Sequence, residues 1–110
     1  MTTTETSKYF EDIKQYDSSA DEAIVDKIAS NLRLVMQNDD AKWVSASDSA
    51  ELETVRENYL KKKLELSHSD EELDAGITAV MEQLKGVNKK SRVTVYYLLA
   101  KHFGKLDIYS

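Results

Sequence analysis

Three cations stand at the start of the last helical segment, in the run Asn88-Lys89-Lys90-Ser91-Arg92. The N-terminal end of a helix carries a partial positive charge, so each exposed cation there costs about 0.3–1 kcal/mol. The same cations, together with the free backbone N–H groups, favour a bound anion. The run therefore indicates either a site for a phosphate or a partner's carboxylate, or side chains that are solvated or paired with acidic residues from the first half of the chain.

A second basic run, Lys61-Lys62-Lys63, lies on the third helical segment. Consecutive residues fan around a helix, so we expect Lys61 and Lys62 alone to face solvent. We call the two runs together the basic edge, with the candidate binding residues Lys61, Lys62, Lys89, Lys90, Ser91 and Arg92. A merely solvated charged face is the alternative interpretation.

The segment that starts at Gly86 also has features of a helix-turn-helix, with Thr94-Val95-Tyr96 in the place of a recognition helix. In typical repressors this triplet comes about three residues sooner after the turn glycine. The helix that carries it here is apolar nearly all round, and the net charge of the chain is −5. Base-reading side chains would have little exposed surface, so nucleic-acid binding is the alternative rather than the first hypothesis.

Motifs for catalysis and cofactor binding are absent from the sequence. With no Cys, disulfides, thiolate zinc sites, iron–sulfur clusters and cysteine nucleophiles are excluded. No Gly-rich phosphate loop, GxSxG or HExxH occurs, and the carboxylate pairs at helix starts stabilise helices without a ligand. We predict no cofactor, metal ligand or catalytic residue. The enzyme hypothesis that remains open uses His68 with Asp70 and Glu71, while His102 suits the end of the final helix.

Length and composition predict a single all-α domain, a compact bundle of four to five helices. The chain has 110 residues, of which 41% are hydrophobic and 32% charged, with three Gly and no Pro. Apolar residues recur at intervals of three and four, which is typical of amphipathic helices. We expect residues 1–7 to form a frayed tail and residues 8–110 to form the helical domain.

The first three helices are predicted from their caps and apolar stripes. Ser7 caps a first helix that stops near Asp17, and the second helix spans about residues 19–37. We expect Trp43 to plug the core from a loop or a single turn. The third helix starts near Ser47 and carries the stripe that leads to Leu66.

The last two helices have clearer boundaries. Ser69 and Glu72 form a capping box at the start of the fourth helix, which Gly86 closes. Residues 93–99 are β-branched and aromatic, but a lone strand has no sheet to join, so we predict a central helix that ends at Gly104. The tail then folds back as a short cap through Leu106, Ile108 and Tyr109.

The sequence resembles the family of short bacterial proteins known as domain of unknown function DUF2853. The segments that carry the resemblance are Tyr16-Asp17, Ala20-Asp21-Glu22-Ala23, Leu60-Lys61-Lys62-Lys63-Leu64, Leu73-Asp74-Ala75, Ser91-Arg92-Val93-Thr94, Tyr96-Tyr97-Leu98-Leu99-Ala100 and Phe103-Gly104-Lys105-Leu106. The resemblance implies a small, mostly helical, cytoplasmic bacterial protein. It brings no established activity, ligand or functional residue with it.

Our first hypothesis is a non-enzymatic binding or interaction module, whose basic edge receives an acidic protein partner or a small anion. The alternative is a nucleic-acid-binding regulator that acts through the last two helices. We expect a cytoplasmic protein without a membrane span, because no stretch approaches the roughly 18 apolar residues that a span needs. Monomer and homodimer both stay open, because an apolar patch near the helix ends, from Tyr9, Phe10, Trp43 and Tyr109, could be covered by a second copy.

Overall fold

A computed structural model describes residues 3–32, 43–45, 47–87 and 90–109, with side chains from Tyr9 onwards. The fold is all-α, as predicted, with one small two-stranded sheet. The helices are α1 (Thr3–Lys14), α2 (Glu22–Asn31), α3 (Ser49–Thr54), which continues directly into a π-helix (Val55–Lys63), α4 (Asp70–Gln83) and α5 (Arg92–His102). A 3₁₀ turn, Leu106–Tyr109, follows α5. No helix in these described ranges is both long and apolar enough to cross a bilayer.

The sheet consists of β1 (Trp43–Val44) and β2 (Lys90–Ser91), which pair antiparallel with Trp43 opposite Ser91. The sequence did not predict this two-residue pairing, which lies just before residues 93–99 and does not include them. Trp43 lies half-buried in a strand rather than plugging the core from a loop or turn. The helix itself starts at Arg92, immediately after β2, and confirms the predicted helical state of residues 93–99.

Side-chain caps mark the starts of α2, α3 and α4, and several helix boundaries differ by a few residues from the predicted ones. Helix α1 begins at Thr3 rather than after Ser7, because extending a formed helix costs little when no Gly or Pro interrupts it. Asp48, not Ser47, caps α3 by accepting from the amides of Ala50 and Glu51. The second helix begins at Glu22 and ends at Asn31; the predicted end near residue 37 lies outside the described residues.

The capping box at the start of α4 is confirmed. The Ser69 hydroxyl accepts from the Glu72 amide, and the Glu72 carboxylate accepts from the Ser69 amide. Beyond α4, Gly86 adopts a left-handed φ of 91°, which a residue with a Cβ rarely takes. The chain reverses at this glycine and leads into β2 and α5.

Helix α5 is the central helix, as predicted. Every residue from Arg92 to Ala100 is buried, and the helix packs against α1, α2, α4, both strands and the C-terminal turn. The C-terminal turn folds back, and it buries Tyr109 while Ile108 stays 43% exposed. The core therefore surrounds α5 on all sides.

Polar side chains on α5 find partners on the elements around it. Thr94 donates to the Asp12 carboxylate of α1, and the Tyr97 hydroxyl donates to Asp17 Oδ2 at 2.7 Å. Buried polar groups in proteins are almost always hydrogen-bonded, because an unpaired one costs about 1–3 kcal/mol. These two bonds therefore fix α1 against the central helix.

Asp17 is the most constrained of these partners, being 6% exposed. Besides Tyr97, it accepts from the Ser19 hydroxyl at 2.7 Å and from the Lys101 ammonium at 3.2 Å. Desolvation acts to raise its pKa, but the hydrogen bonds from Tyr97, Ser19 and Lys101 outweigh it and lower the pKa to about 2. The charged carboxylate is thus stabilised in the folded state.

The π-helix is the element that departs most from the predicted geometry. Its i→i+5 bonding is visible at its end, where the Leu64 amide donates to the Tyr59 carbonyl at 2.9 Å. The Leu66 amide donates to the Leu60 carbonyl at 3.1 Å, and Glu65 between them has a left-handed φ of 54°. Nine residues of π-helix are unusual, because π segments in proteins are mostly single turns and often lie at functional sites.

Asp17→Asn tests the buried carboxylate. A folded-state pKa below the unfolded value of 3.8 adds stability above pH 4 that disappears as the pH falls towards 2. We expect the free energy of unfolding of the wild type to exceed that of the variant by about 2 kcal/mol at pH 6. This difference should shrink between pH 4 and pH 2. Urea denaturation followed by circular dichroism measures both proteins across this range. Parallel pH profiles for the two proteins would contradict the assignment.

Glu65→Gly tests the turn that ends the π-helix. A left-handed residue with a Cβ costs roughly 1 kcal/mol, so glycine should raise the free energy of unfolding by about 0.5–1 kcal/mol. The control, Ala79→Gly on the exposed side of α4, should lower it by about 1 kcal/mol. Destabilisation by both substitutions would show that the left-handed turn is not formed in solution.

Candidate functional site

Two cations of the basic edge pair with carboxylates of this chain. The Lys61 ammonium lies 2.6 Å from Asp70 Oδ1 and 2.9 Å from Glu57 Oε2, and both contacts raise the pKa of Lys61. The guanidinium of Arg92 is buried and pairs with the Glu51 carboxylate. An incoming anion would have to compete with carboxylates that already occupy these cations.

Arg92 also binds within the core. It donates to the Tyr96 hydroxyl at 3.1 Å and lies 5.6 Å from the centre of the Tyr96 ring. Burial acts to lower the pKa of the guanidinium, but Tyr96 and Glu51 outweigh burial and raise it. Arg92 is therefore held by neighbours on two sides.

The remaining basic-edge residues differ in their surroundings. Lys62 is exposed, and Lys90 donates to the Val87 carbonyl at 2.8 Å. The buried Ser91 hydroxyl has no hydrogen-bond partner among the described residues, and Lys89 lies outside them. Anion or partner binding by the basic edge stays a prediction.

The two histidines meet at one aromatic ring, which the sequence did not predict. The imidazoles of His68 and His102 lie edge-on to Phe103, with ring centres 5.3 Å and 4.9 Å from it. The Phe103 ring packs on Gly76, where a Cβ would come within 2.3 Å of its tip. Both histidines are exposed, and within residues 3–32, 43–45, 47–87 and 90–109 no three His, Asp or Glu side chains are placed to share a metal ion.

The aromatic residues near the helix ends are partly covered within the chain. Tyr9, Phe10 and Trp43 are half-buried, and Tyr109 is buried. Among the described residues, Ile108 rather than any of these aromatic residues is the exposed large apolar side chain.

A pocket of about 330 Å³ opens between α2, the π-helix, α5 and the C-terminal turn. This volume is at the lower end of the range for small-molecule sites. We call it the tyrosine pocket; its described lining residues are Ile28, Asn31, Leu32, Asn58, Tyr59, Lys63, Tyr96 and Tyr109. A smaller cavity of about 220 Å³ lies between α4 and α5, and its Lys101 ammonium already pairs with Asp17.

Three phenols build the inner wall of the tyrosine pocket. The rings of Tyr59 and Tyr96 are stacked, with centres 3.8 Å apart and planes 13° from parallel. The Tyr59 hydroxyl donates to the Tyr96 carbonyl at 3.0 Å and lies 3.0 Å from the Tyr109 hydroxyl. Since Tyr59 has one proton, Tyr109 is the donor of that second bond. Burial raises the pKa of all three phenols, so they stay neutral.

Polar side chains surround the mouth of the tyrosine pocket. Asn31, Asn58 and Lys63 are exposed. The Lys63 ammonium lies 5.6 Å from the centre of the Tyr109 ring, and within the described residues it has no carboxylate at ion-pair distance. The two carboxamides likewise have no hydrogen-bond partner there. The pocket thus combines an aromatic wall with unused donors and acceptors at its opening.

The π-helix brings Asn58 and Lys63 to the same opening. Its i→i+5 bonds align residues five apart, whereas an α-helix aligns residues three and four apart. Lys63, which the sequence left out of the solvent-facing lysines, is exposed, while Lys61 is partly buried in ion pairs. A hydrophobic pattern with a period of 3.6 carries no signal for this change of helix type, so the pocket could not be predicted from the sequence.

The segment that the sequence places in a helix-turn-helix recognition helix is buried in the structure. Thr94, Val95 and Tyr96 are 1%, 0% and 8% exposed, and Tyr96 contributes to the pocket wall. A side chain must reach the groove to contact a base edge. As the sequence predicts, this segment offers almost no surface for that purpose.

The comparisons identify the family. Residues 8–107 match the family described as protein of unknown function DUF2853, and the chain belongs to it. A search of curated proteins finds no match.

Proposed function

We propose that this DUF2853 protein is a non-enzymatic binding module that takes a small molecule in the tyrosine pocket. The observation that carries the proposal is the pairing of an aromatic wall with hydrogen-bonding groups at the mouth that have no partner in the described part of the chain. Ligand sites generally combine an apolar lining with a few well-placed polar groups. Asn31, Asn58 and Lys63 are such groups.

Binding suits the chemistry of this pocket better than proton transfer does. Its described ionisable lining groups are three phenols with raised pKa values and one ammonium group. A general base works best when its pKa lies near the working pH, which a phenol with a raised pKa does not satisfy. The wall therefore supports recognition by packing and hydrogen bonding.

The basic edge is a weaker candidate than the tyrosine pocket for the binding site. The Lys61 and Arg92 side chains would have to give up Asp70, Glu57 and Glu51 before they could bind an outside anion. The Arg92–Glu51 pair is the more buried one, and an anion that displaced Glu51 would leave this carboxylate without compensation, which opposes the exchange. We therefore place the proposed site in the tyrosine pocket and not at the basic edge.

The cellular setting belongs to the same proposal. We place the module in the bacterial cytoplasm, since a chain without cysteines needs no oxidising compartment. An acidic protein partner, a small anion at the basic edge and a homodimer remain predictions from the sequence.

The proposal predicts binding of small aromatic probes at the tyrosine pocket. Amide-resolved NMR titration with indole, benzoate and benzylamine covers neutral, negative and positive charge. We expect saturable shifts of pocket residues with at least one probe. Asn31→Trp should fill the mouth and weaken that probe at least tenfold, about 1.4 kcal/mol.

Ser30→Trp is the matched control, because Ser30 is exposed on the same helix and does not line the pocket. It should bind the probe as the wild type does. Failure of all three probes to shift pocket residues, or equal weakening by the two tryptophan variants, would refute the proposed site.

An NMR titration of the same labelled protein with duplex DNA tests the alternative of nucleic-acid binding. Duplex DNA added at low and at near-physiological salt distinguishes specific binding from weak charge attraction, because the latter falls steeply with salt. Saturable shifts around Lys90 to Tyr96 that survive near-physiological salt would favour a regulator over a small-molecule module.

A further inference from the structure

The charges contributed by the described residues at the tyrosine pocket nearly cancel. Asn31 ends α2 and Lys63 ends the π-helix, so two helix C-termini lie at the mouth. Each C-terminus carries a partial charge of about −0.5, and Lys63 carries one positive charge. No carboxylate is among the described lining residues. This balance favours a neutral ligand over a strongly charged one.

The wall specifies the shape of that ligand. Tyr59, Tyr96 and Tyr109 are held by stacking and by a chain of hydrogen bonds, so the wall is preorganised. Aromatic side chains pack favourably with planar rings, face to face with an offset or edge to face. Since the volume is about 330 Å³, the pocket has room for one small ring system rather than a long chain.

The mouth specifies the edge of the ligand. The carboxamides of Asn31 and Asn58 each offer two N–H donors and one acceptor oxygen, and neither is used within the described residues. A carboxamide matches a heterocycle whose edge presents a donor beside an acceptor, as the adenine edge does. A plain hydrocarbon ring would form no hydrogen bond with these groups, which would stay with water.

Resting on the proposed function, we propose that the tyrosine pocket binds a neutral nitrogen heterocycle of the purine type, with the ring on the tyrosine wall and its donor–acceptor edge at Asn31 or Asn58. The shared chemistry is that of a free nucleobase and of the base of a nucleoside. The tyrosines supply affinity for any flat ring, whereas the carboxamides supply the discrimination between rings.

NMR titration with adenine, adenosine and indole tests this assignment. Adenine should bind at least tenfold more tightly than indole, which lacks the acceptor nitrogens. Asn31→Leu or Asn58→Leu should remove this preference by weakening adenine at least tenfold and leaving indole unchanged. A merely structural role of the carboxamides would instead change both ligands together. Glu53→Leu is the control, since Glu53 is exposed and does not line the pocket.

The outcomes separate the two levels of the proposal. Indole binding as tightly as adenine, or an adenine affinity that neither leucine variant changes, overturns the heterocycle assignment while the binding module stands. Failure of adenine, adenosine and indole, together with the charged probes, overturns both. Equal binding of adenosine and adenine identifies a nucleoside as an acceptable source of the ring, whereas binding of adenine alone identifies the free base.

Discussion

The buried stretch of α5 from Arg92 to Ala100 imposes the main constraint on this structure. A polar side chain in this stretch must find its hydrogen-bond partner on a neighbouring element, because little water can reach it. Thr94 and Tyr97 find acids at and beyond the end of α1, and Arg92 finds Glu51 on α3. Satisfying α5 therefore also positions the helices that surround it.

The uneven distribution of charge along the chain follows from this arrangement. Residues 1–55 contain 5 Lys and Arg against 12 Asp and Glu, and residues 56–110 contain 10 against 8. In the fold, acids of the first half meet groups of the second, as in the pairs of Arg92 with Glu51 and of Lys101 with Asp17. Part of the acidic excess thus serves the core rather than an outside partner.

Two adjacent tyrosines on α5 show how the same residue type serves two purposes. Tyr97 is committed to the Asp17 carboxylate, and this interaction holds α1 in place. Tyr96 lies about 100° further back around the helix, where it stacks on Tyr59 and borders the tyrosine pocket. The packing that stabilises one side of α5 leaves an aromatic wall on the other, and that wall is where a ligand would find preorganised surface.

The sequence by itself determined the all-α class, the capping box at Ser69 and Glu72, and the burial of α5. These features depend on local hydrogen bonds and on apolar periodicity, which are determined by residues close together in the sequence. Only the tertiary structure decided that Arg92 pairs with Glu51, that both histidines meet Phe103, and that β1 pairs with β2, since these contacts join residues far apart in the chain. The tyrosine pocket belongs to the same group, because it needs the π-helical register of Tyr59 and Lys63 as well as the return of Tyr109 to the core. Apolar periodicity does not distinguish this π-helix from an α-helix, and it carries no information on which distant residues come together.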